Sequence, residues 1–268
     1  MIPSFIPRPC SSPLFGLGIM YPHPGTVERL GANWDWIWID AQHGDLDFRE
    51  VVDLIRAANL VGKPVLVRPP GQDAGWISRV LDAGASGVIV PMLESVEEAS
   101  AMVRAAKFPP LGNRSYGGRR IIDLQGRGYY RTANRDTLLI LQIESNEAVT
   151  LADQFASMDG VDGLFLGPDD LLIRSKLDVD TPKDNGTIGQ QTRAVAQACR
   201  KHGKCMAGIG ANPAMMEMAK ENQFDLIVGG ADVSFLASGS KTASDSIRAF
   251  FAQTKSSGQT KSDSSSLY

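Results

Sequence analysis

The sequence predicts an α/β fold of the (β/α)8 barrel class. Eight short apolar runs recur along the chain, and helical patterns with recognisable starts lie between them. The length of 268 residues also suits a barrel, which commonly needs ~250 residues in one domain. The runs are continuously apolar rather than alternating, as in strands covered on both faces. An open doubly wound sheet would show the same rhythm, because a count of strands does not establish closure.

The proline-studded opening MIPSFIPRPCSSP reads as an N-terminal extension, residues 1–13, ahead of the first strand, FGLGIMY at 15–21. DWIWID at 35–40 is the second strand, and FREVVDLIRAAN at 48–59 places Val51, Leu54, Ile55 and Ala58 on one helical face. PVLVRP at 64–69 and GVIVPM at 87–92 are the third and fourth strands. Ser95 and Glu98 then form a capping box ahead of Ala99, Met102 and Val103.

Residues 109–136 interrupt the pattern with six arginines and little helical period, which reads as a long functional or mobile loop. LLILQIE at 138–144, GLFLG at 163–167, KCMAGIG at 204–210 and DLIVGG at 225–230 complete the eight strands. Asn212 and Pro213 supply an N-cap and a first-turn proline between the last two. The barrel domain is expected over 14–254, and the polar stretch KSSGQTKSDSSSLY, 255–268, is expected to be a disordered tail.

Hydrophobic content of 43% and charged content of 21% allow a sizeable core. A net charge of −3 favours neither nucleic acid nor an anionic membrane as partner. Cys10, Cys199 and Cys205 are odd in number and lack a CxxC spacing, so a reducing setting fits best. No apolar stretch approaches the ~20 residues of a membrane span. A soluble, cytoplasmic protein is expected.

In such a barrel the reacting groups sit at the carboxyl ends of the strands. Asp40 and His43 follow the second strand, Arg68 closes the third, Gln142 and Glu144 close the fifth, and Asp170 follows the sixth. Glu144 or Asp170 alone reads as a helix cap. Together, on adjacent strands ~4.8 Å apart, they read as hard oxygen ligands for Mg²⁺ or Mn²⁺. Arg68 is suited to bidentate carboxylate binding, or to an ion pair with Asp40 or Glu144. His43 is open between a structural role and a general acid or base tuned by Asp40 or Asp45. Lys63 and Lys204 come at strand starts, which argues against Schiff-base chemistry.

DWIWIDAQHGDLDF, PVLVRPPGQDAGWISRVLDAGASGVIVPMLESVEEA, FPPLGNRSYGG, LQIESNEAV and GVDGLFLGPDDL together resemble the HpcH/HpaI family of metal-dependent, class II pyruvate aldolases. The likeness runs from about residue 14 to 240. It implies a phosphoenolpyruvate/pyruvate-type barrel with Glu144 and Asp170 as ligands of Mg²⁺, Mn²⁺ or Co²⁺. By the same resemblance Arg68 holds the pyruvate carboxylate, His43 moves protons, and Asp40 and Asp82 are acidic positions near that histidine. Gln142, Gly167, Pro168 and Asp169 line the substrate site. Gln42 departs from a glutamate common in the family. Asp169 departs from an alanine, which would add a carboxylate beside the metal ligand.

The implied reaction is aldol cleavage or formation of a 4-hydroxy-2-oxo acid through a pyruvate enolate, from pyruvate and an aldehyde. Oxaloacetate decarboxylation or a macrophomate-synthase-like reaction would use the same enolate, and a barrel binding a metabolite without turnover is the reading from another class. The arginine-rich segment is expected on the catalytic face, closing over an anionic substrate or serving subunit contacts. A homo-oligomer, hexameric by resemblance, is expected.

Overall fold

The computed structural model describes residues 12–257. Cys10, most of the expected extension and residues 258–268 of the expected tail lie outside them. Eight parallel strands close into a barrel in chain order: β1 (Leu14–Ile19), β2 (Trp36–Asp40), β3 (Val65–Arg68), β4 (Gly87–Val90), β5 (Leu138–Ile143), β6 (Gly163–Leu166), β7 (Cys205–Ile209) and β8 (Leu226–Ala231). β8 pairs with β1 in the register Leu14↔Leu226, so the sheet has no edge. The open-sheet alternative is thereby excluded.

Strand geometry sends successive side chains to opposite faces, and two packed layers result. Trp36, Trp38, Leu66, Ile89, Leu138, Ile140, Phe165, Ala207 and Val228 form one buried cluster, the filling of the barrel. Ile37, Ile39, Val65, Val67, Leu139 and Leu141 belong to the other, larger cluster against the helices. On β1 a Cβ at Gly16 would lie 2.4 Å from the Trp36 ring, so glycine there leaves the room the indole takes. Following the inward parity one step further along each strand leads from Trp38 to Asp40, from Leu66 to Arg68 and from Ile140 to Gln142. The alternation that fills the core thus delivers polar groups to the mouth.

Local signals set the helix starts. α2 (Phe48–Leu60) and α4 (Val96–Ala106) begin with capping boxes, Asp47 with Glu50 and Ser95 with Glu98. α10 (Pro213–Glu221) is capped by Asn212, whose side chain accepts from the Met215 N–H at 3.0 Å. α7 (Asn146–Ser157) is capped by Ser145, so Glu144 is not a helix cap.

The arginine-rich segment differs from its expectation in two ways. It holds two seven-residue helices, α5 (Arg119–Gln125) and α6 (Tyr130–Asp136), too short and too interrupted by Gly126 and Gly128 to show a helical period. It also follows α4 rather than β4, and α4 carries the chain back to the strand-start end. The segment therefore lies at the opposite end from the mouth and does not cover it.

α11 (Asp232–Ser257) passes the expected domain limit at 254. Its first residue is anchored: the buried Asp232 carboxylate accepts from the backbone N–H groups of Met20 and Tyr21 at 3.1 Å. Beyond Phe235, which stacks on Trp34, the helix leaves the barrel with Leu236, Ile247, Phe250 and Phe251 exposed. A groove of about 950 Å³, walled by Phe15, Trp34, Met216 and Phe224 among others, stays open beside β8. Among the described residues no helix is long and apolar enough to cross a membrane.

Candidate active site

The register of β2 against β3 places Asp40 directly beside Arg68. Their side chains form a two-pronged pair, Nε to Oδ1 at 2.8 Å and Nη2 to Oδ2 at 2.6 Å. Asp40 is 1% exposed and Arg68 6%, so this is a desolvated pair in which each charge depends on the other. The guanidinium carbon also lies 4.8 Å from the centre of the Trp38 ring. One edge of the Arg68 fork is thus already committed. Nη1 remains, 3.5 Å from Gln142 Oε1 and 4.0 Å from Glu144 Oε1.

Gln142 and Glu144, two residues apart, share the inward parity of β5 and are both buried. Gln142 Nε2 donates to Glu144 Oε1 at 2.5 Å, and the Met92 N–H donates to Oε2 at 2.8 Å. Burial pushes the Glu144 carboxyl above its ordinary range. The Met92 bond and the Arg68 and Arg174 charges oppose that shift, and the Asp170 charge adds to it. Met92 stands at φ 63°, in the left-handed region that non-glycine residues rarely enter. Gln72 donates to its carbonyl at 2.6 Å, and Arg174, paired with Glu94, donates to its sulfur at 3.3 Å.

Asp170 lies in the first turn of α8 (Pro168–Arg174) and is partly exposed. It is near enough to Glu144 to repel its charge, and no ion pair of its carboxylate occurs among the described residues. A Cβ at Gly167 would lie 2.7 Å from Gln142 Nε2 and 2.8 Å from Glu144 Cγ, so the loop backbone rests directly on both side chains. Pro168 behind it is buried. Asp169 turns outward to Lys183, Oδ1 to Nζ 2.9 Å, and so does not add the expected carboxylate beside Asp170.

Among the described residues no group of three or more His, Cys, Asp or Glu side chains could hold a metal. Two adjacent carboxylates, one buried with a raised pKa and one unpaired, nevertheless fit a hard divalent cation that takes its remaining oxygens from water or substrate. A cation would relieve the repulsion between them.

His43 is exposed in the turn after β2. Asp40 Oδ1 accepts from the backbone N–H groups of Gln42 at 3.1 Å and His43 at 3.4 Å. Asp40 therefore shapes the turn and does not orient the imidazole, contrary to expectation, because Arg68 holds both its oxygens. Gln42 Oε1 is buried without a hydrogen-bond partner among the described residues.

Asp82 is not brought to His43 within this chain. It ends α3 (Ala74–Asp82), and a helix running back along the barrel puts its last residue at the strand-start end. There it pairs with Arg114 at 2.6 Å. Lys204, whose Nζ donates to the Val161 carbonyl at 2.8 Å, lies at the same end, as its position before β7 predicts.

Sequence reasoning missed Met92, Trp38 and Arg174. Trp38 had a signal, its even spacing from Asp40 in WIWID. Met92 acts through its backbone, and no residue type announces that.

The HpcH/HpaI aldolase/citrate lyase family model matches residues 26–238. A 2-dehydro-3,6-dideoxy-6-sulfogluconate aldolase of Pseudomonas putida is 37% identical over 60% of this chain and 64% of its own length. A hydroxypyruvate/pyruvate aldolase of Paraburkholderia phytofirmans is 32% identical over 89% of this chain and 94% of its own. The chain spans 59 to 64% of the length of the first three curated relatives it matches. The crystal structure of macrophomate synthase superposes with a TM-score of 0.77 at 27% identity, covering 89% of this chain and 86% of that one.

Proposed function

Because the chain belongs to the HpcH/HpaI aldolase/citrate lyase family, we propose that it is a metal-dependent carbon–carbon lyase of the class II pyruvate aldolase type. Its substrates in this reading are a 4-hydroxy-2-oxo acid in cleavage, and pyruvate with an aldehyde in condensation. The observation that carries it is the convergence of Asp40, Arg68, Gln142 and Glu144 on the barrel mouth, with the Asp170 charge beside Glu144.

Glu144 and Asp170 would hold Mg²⁺, Mn²⁺ or Co²⁺. When bound, the ion supplies Lewis-acid stabilisation of negative charge on the 2-oxo group. Gln142 and the Met92 N–H fix both Glu144 oxygens, so the ligand is oriented before substrate arrives. Arg68, its plane set by Asp40, offers Nη1 to the substrate carboxylate. The first turn of α8 has no side-chain cap, which leaves backbone N–H groups around Asp169 and Asp170 for the same carboxylate. His43, at the rim, takes the proton of the 4-hydroxyl as the bond between C3 and C4 breaks. The bond pair passes to the pyruvate enolate, the aldehyde leaves, and C3 is then protonated.

A second reaction open to the same site is decarboxylation of oxaloacetate. Loss of CO₂ leaves the same electron pair and needs no base at the 4-position. A homo-oligomer is supported by the apolar residues on α11 and the open groove beside β8. Metal-loaded protein is incubated with oxaloacetate, then with pyruvate and a panel of aldehydes, and the products are read by mass spectrometry. Release of pyruvate and formation of aldol adducts support the reading. Absence of both with every metal overturns it.

A further inference from the structure

The arginine-rich segment has no part in the reading above, yet it builds a pocket of its own. Phe108, Tyr116 and Tyr130 wall a cavity of about 640 Å³ at the strand-start end, and Arg114, Arg127 and Arg131 line it. The aromatic rings form one continuous cluster: Tyr116 meets Tyr130 edge-on at 5.8 Å and Phe108 meets Tyr130 at 6.3 Å between centres. Each arginine lies against one ring, Arg114 on Phe108 at 4.8 Å, Arg127 on Tyr116 at 6.0 Å and Arg131 on Tyr130 at 5.4 Å.

The charge balance of this pocket is one-sided. Arg119 and Arg135 pair with Asp123 and Asp136, whereas Arg127 and Arg131 are exposed and make no ion pair among the described residues. Arg114 is 4% exposed, and its one carboxylate partner, Asp82, takes only Nη2. Its Nε and Nη1 are buried without an acceptor among the described residues. A desolvated guanidinium with unmet donors costs free energy that an acceptor would return, and buried polar groups rarely stay unmet.

We propose that this pocket is a binding site, separate from the barrel mouth, for a small molecule carrying a phosphate or carboxylate on a flat aromatic part. The oxyanion would be held by Arg114, Arg127 and Arg131, and the ring by Phe108, Tyr116 and Tyr130. Arginine stacked on rings is already flat and oriented, so little conformational freedom is lost on binding. The site does not depend on the reaction assigned above.

The test is calorimetry on the full-length protein with phenyl phosphate, benzoate, inorganic phosphate and phenol. Phenyl phosphate or benzoate is expected to bind at least roughly tenfold tighter than either inorganic phosphate or phenol, and which of the two binds identifies the oxyanion. R127Q/R131Q should weaken that binding by roughly tenfold or more while leaving oxaloacetate turnover intact. Tyr116→Ala should lose the preference for the ring. The inference is overturned if neither aromatic anion saturates the protein, or if R127Q/R131Q binds as tightly as the parent. It is equally overturned if Glu144→Gln abolishes the binding, which would place the ligand at the mouth.

Discussion

The Met92 N–H points at Glu144 Oε2 across 2.8 Å, and Met92 adopts φ 63° to aim it there. The strain belongs to a residue with contacts on its carbonyl, its sulfur and its N–H, so the surroundings hold it in place. Met92→Gly should keep the N–H and relieve the conformation, leaving metal affinity within about twofold and stability unchanged or raised by up to ~1 kcal/mol. Met92→Val, β-branched, should cost about 1–2 kcal/mol and weaken metal binding. Urea denaturation and Mn²⁺ calorimetry on both variants check this.

Asp40 and Arg68 stabilise the site only as a pair. Asp40→Asn leaves a buried guanidinium uncompensated and should cost roughly 3–5 kcal/mol of stability. The freed Arg68 should also lose its fixed plane, raising KM for oxaloacetate more than it lowers kcat. Equal losses in the two constants would argue against the carboxylate-holding role of Arg68.

Glu144→Ala and His43→Ala should separate. The first should abolish Mn²⁺ binding by calorimetry. The second should retain Mn²⁺ and pyruvate binding and decarboxylation while losing aldol cleavage by ~10²-fold or more. If His43→Ala cleaves the aldol as well as the parent, the proton role passes elsewhere.

Glu144 also predicts a pH dependence. Its folded pKa lies above the ordinary 4.5, so the buried charge costs stability at neutral pH in the metal-free protein. As pH falls through the raised value toward 4.5 the folded state takes up a proton first, and metal-free parent should gain stability relative to Glu144→Gln. Mn²⁺ affinity should fall over the same window, because proton and metal compete for one carboxylate. Denaturation and calorimetry at stepped pH measure both slopes.

The exposed face of α11 predicts self-association. Phe250→Asp with Phe251→Asp should reduce the mass seen by light scattering without altering the circular dichroism of the barrel. A monomeric parent protein would remove the basis for this expectation.

All eight strands were legible because a parallel barrel strand is buried on both faces and reads as an unbroken apolar run, whereas closure came only from the pairing of β8 with β1. The inward side chains at strand ends were legible for the same reason: parity carries Trp38 to Asp40 and Ile140 to Gln142. Three features were not. Asp82 looked like a neighbour of His43 by motif, but helix direction sends it to the other end, onto Arg114. The arginine-rich segment was assigned to the wrong end although the Ser95 and Glu98 capping box before it announces α4, because the direction in which that helix returns the chain was not followed. The turn of Asp169 to Lys183 depends on the segment between α8 and the helix Gly189–Lys201, which has no periodic signal.

Metal dependence of oxaloacetate turnover tests the central claim most directly. The full-length protein is stripped with EDTA, assayed for pyruvate release, and assayed again after Mn²⁺ is added, beside Glu144→Ala treated the same way. The account predicts no turnover after stripping, recovery with Mn²⁺ in the parent and none in the variant. Full turnover by the stripped parent, or full recovery by Glu144→Ala, would contradict it.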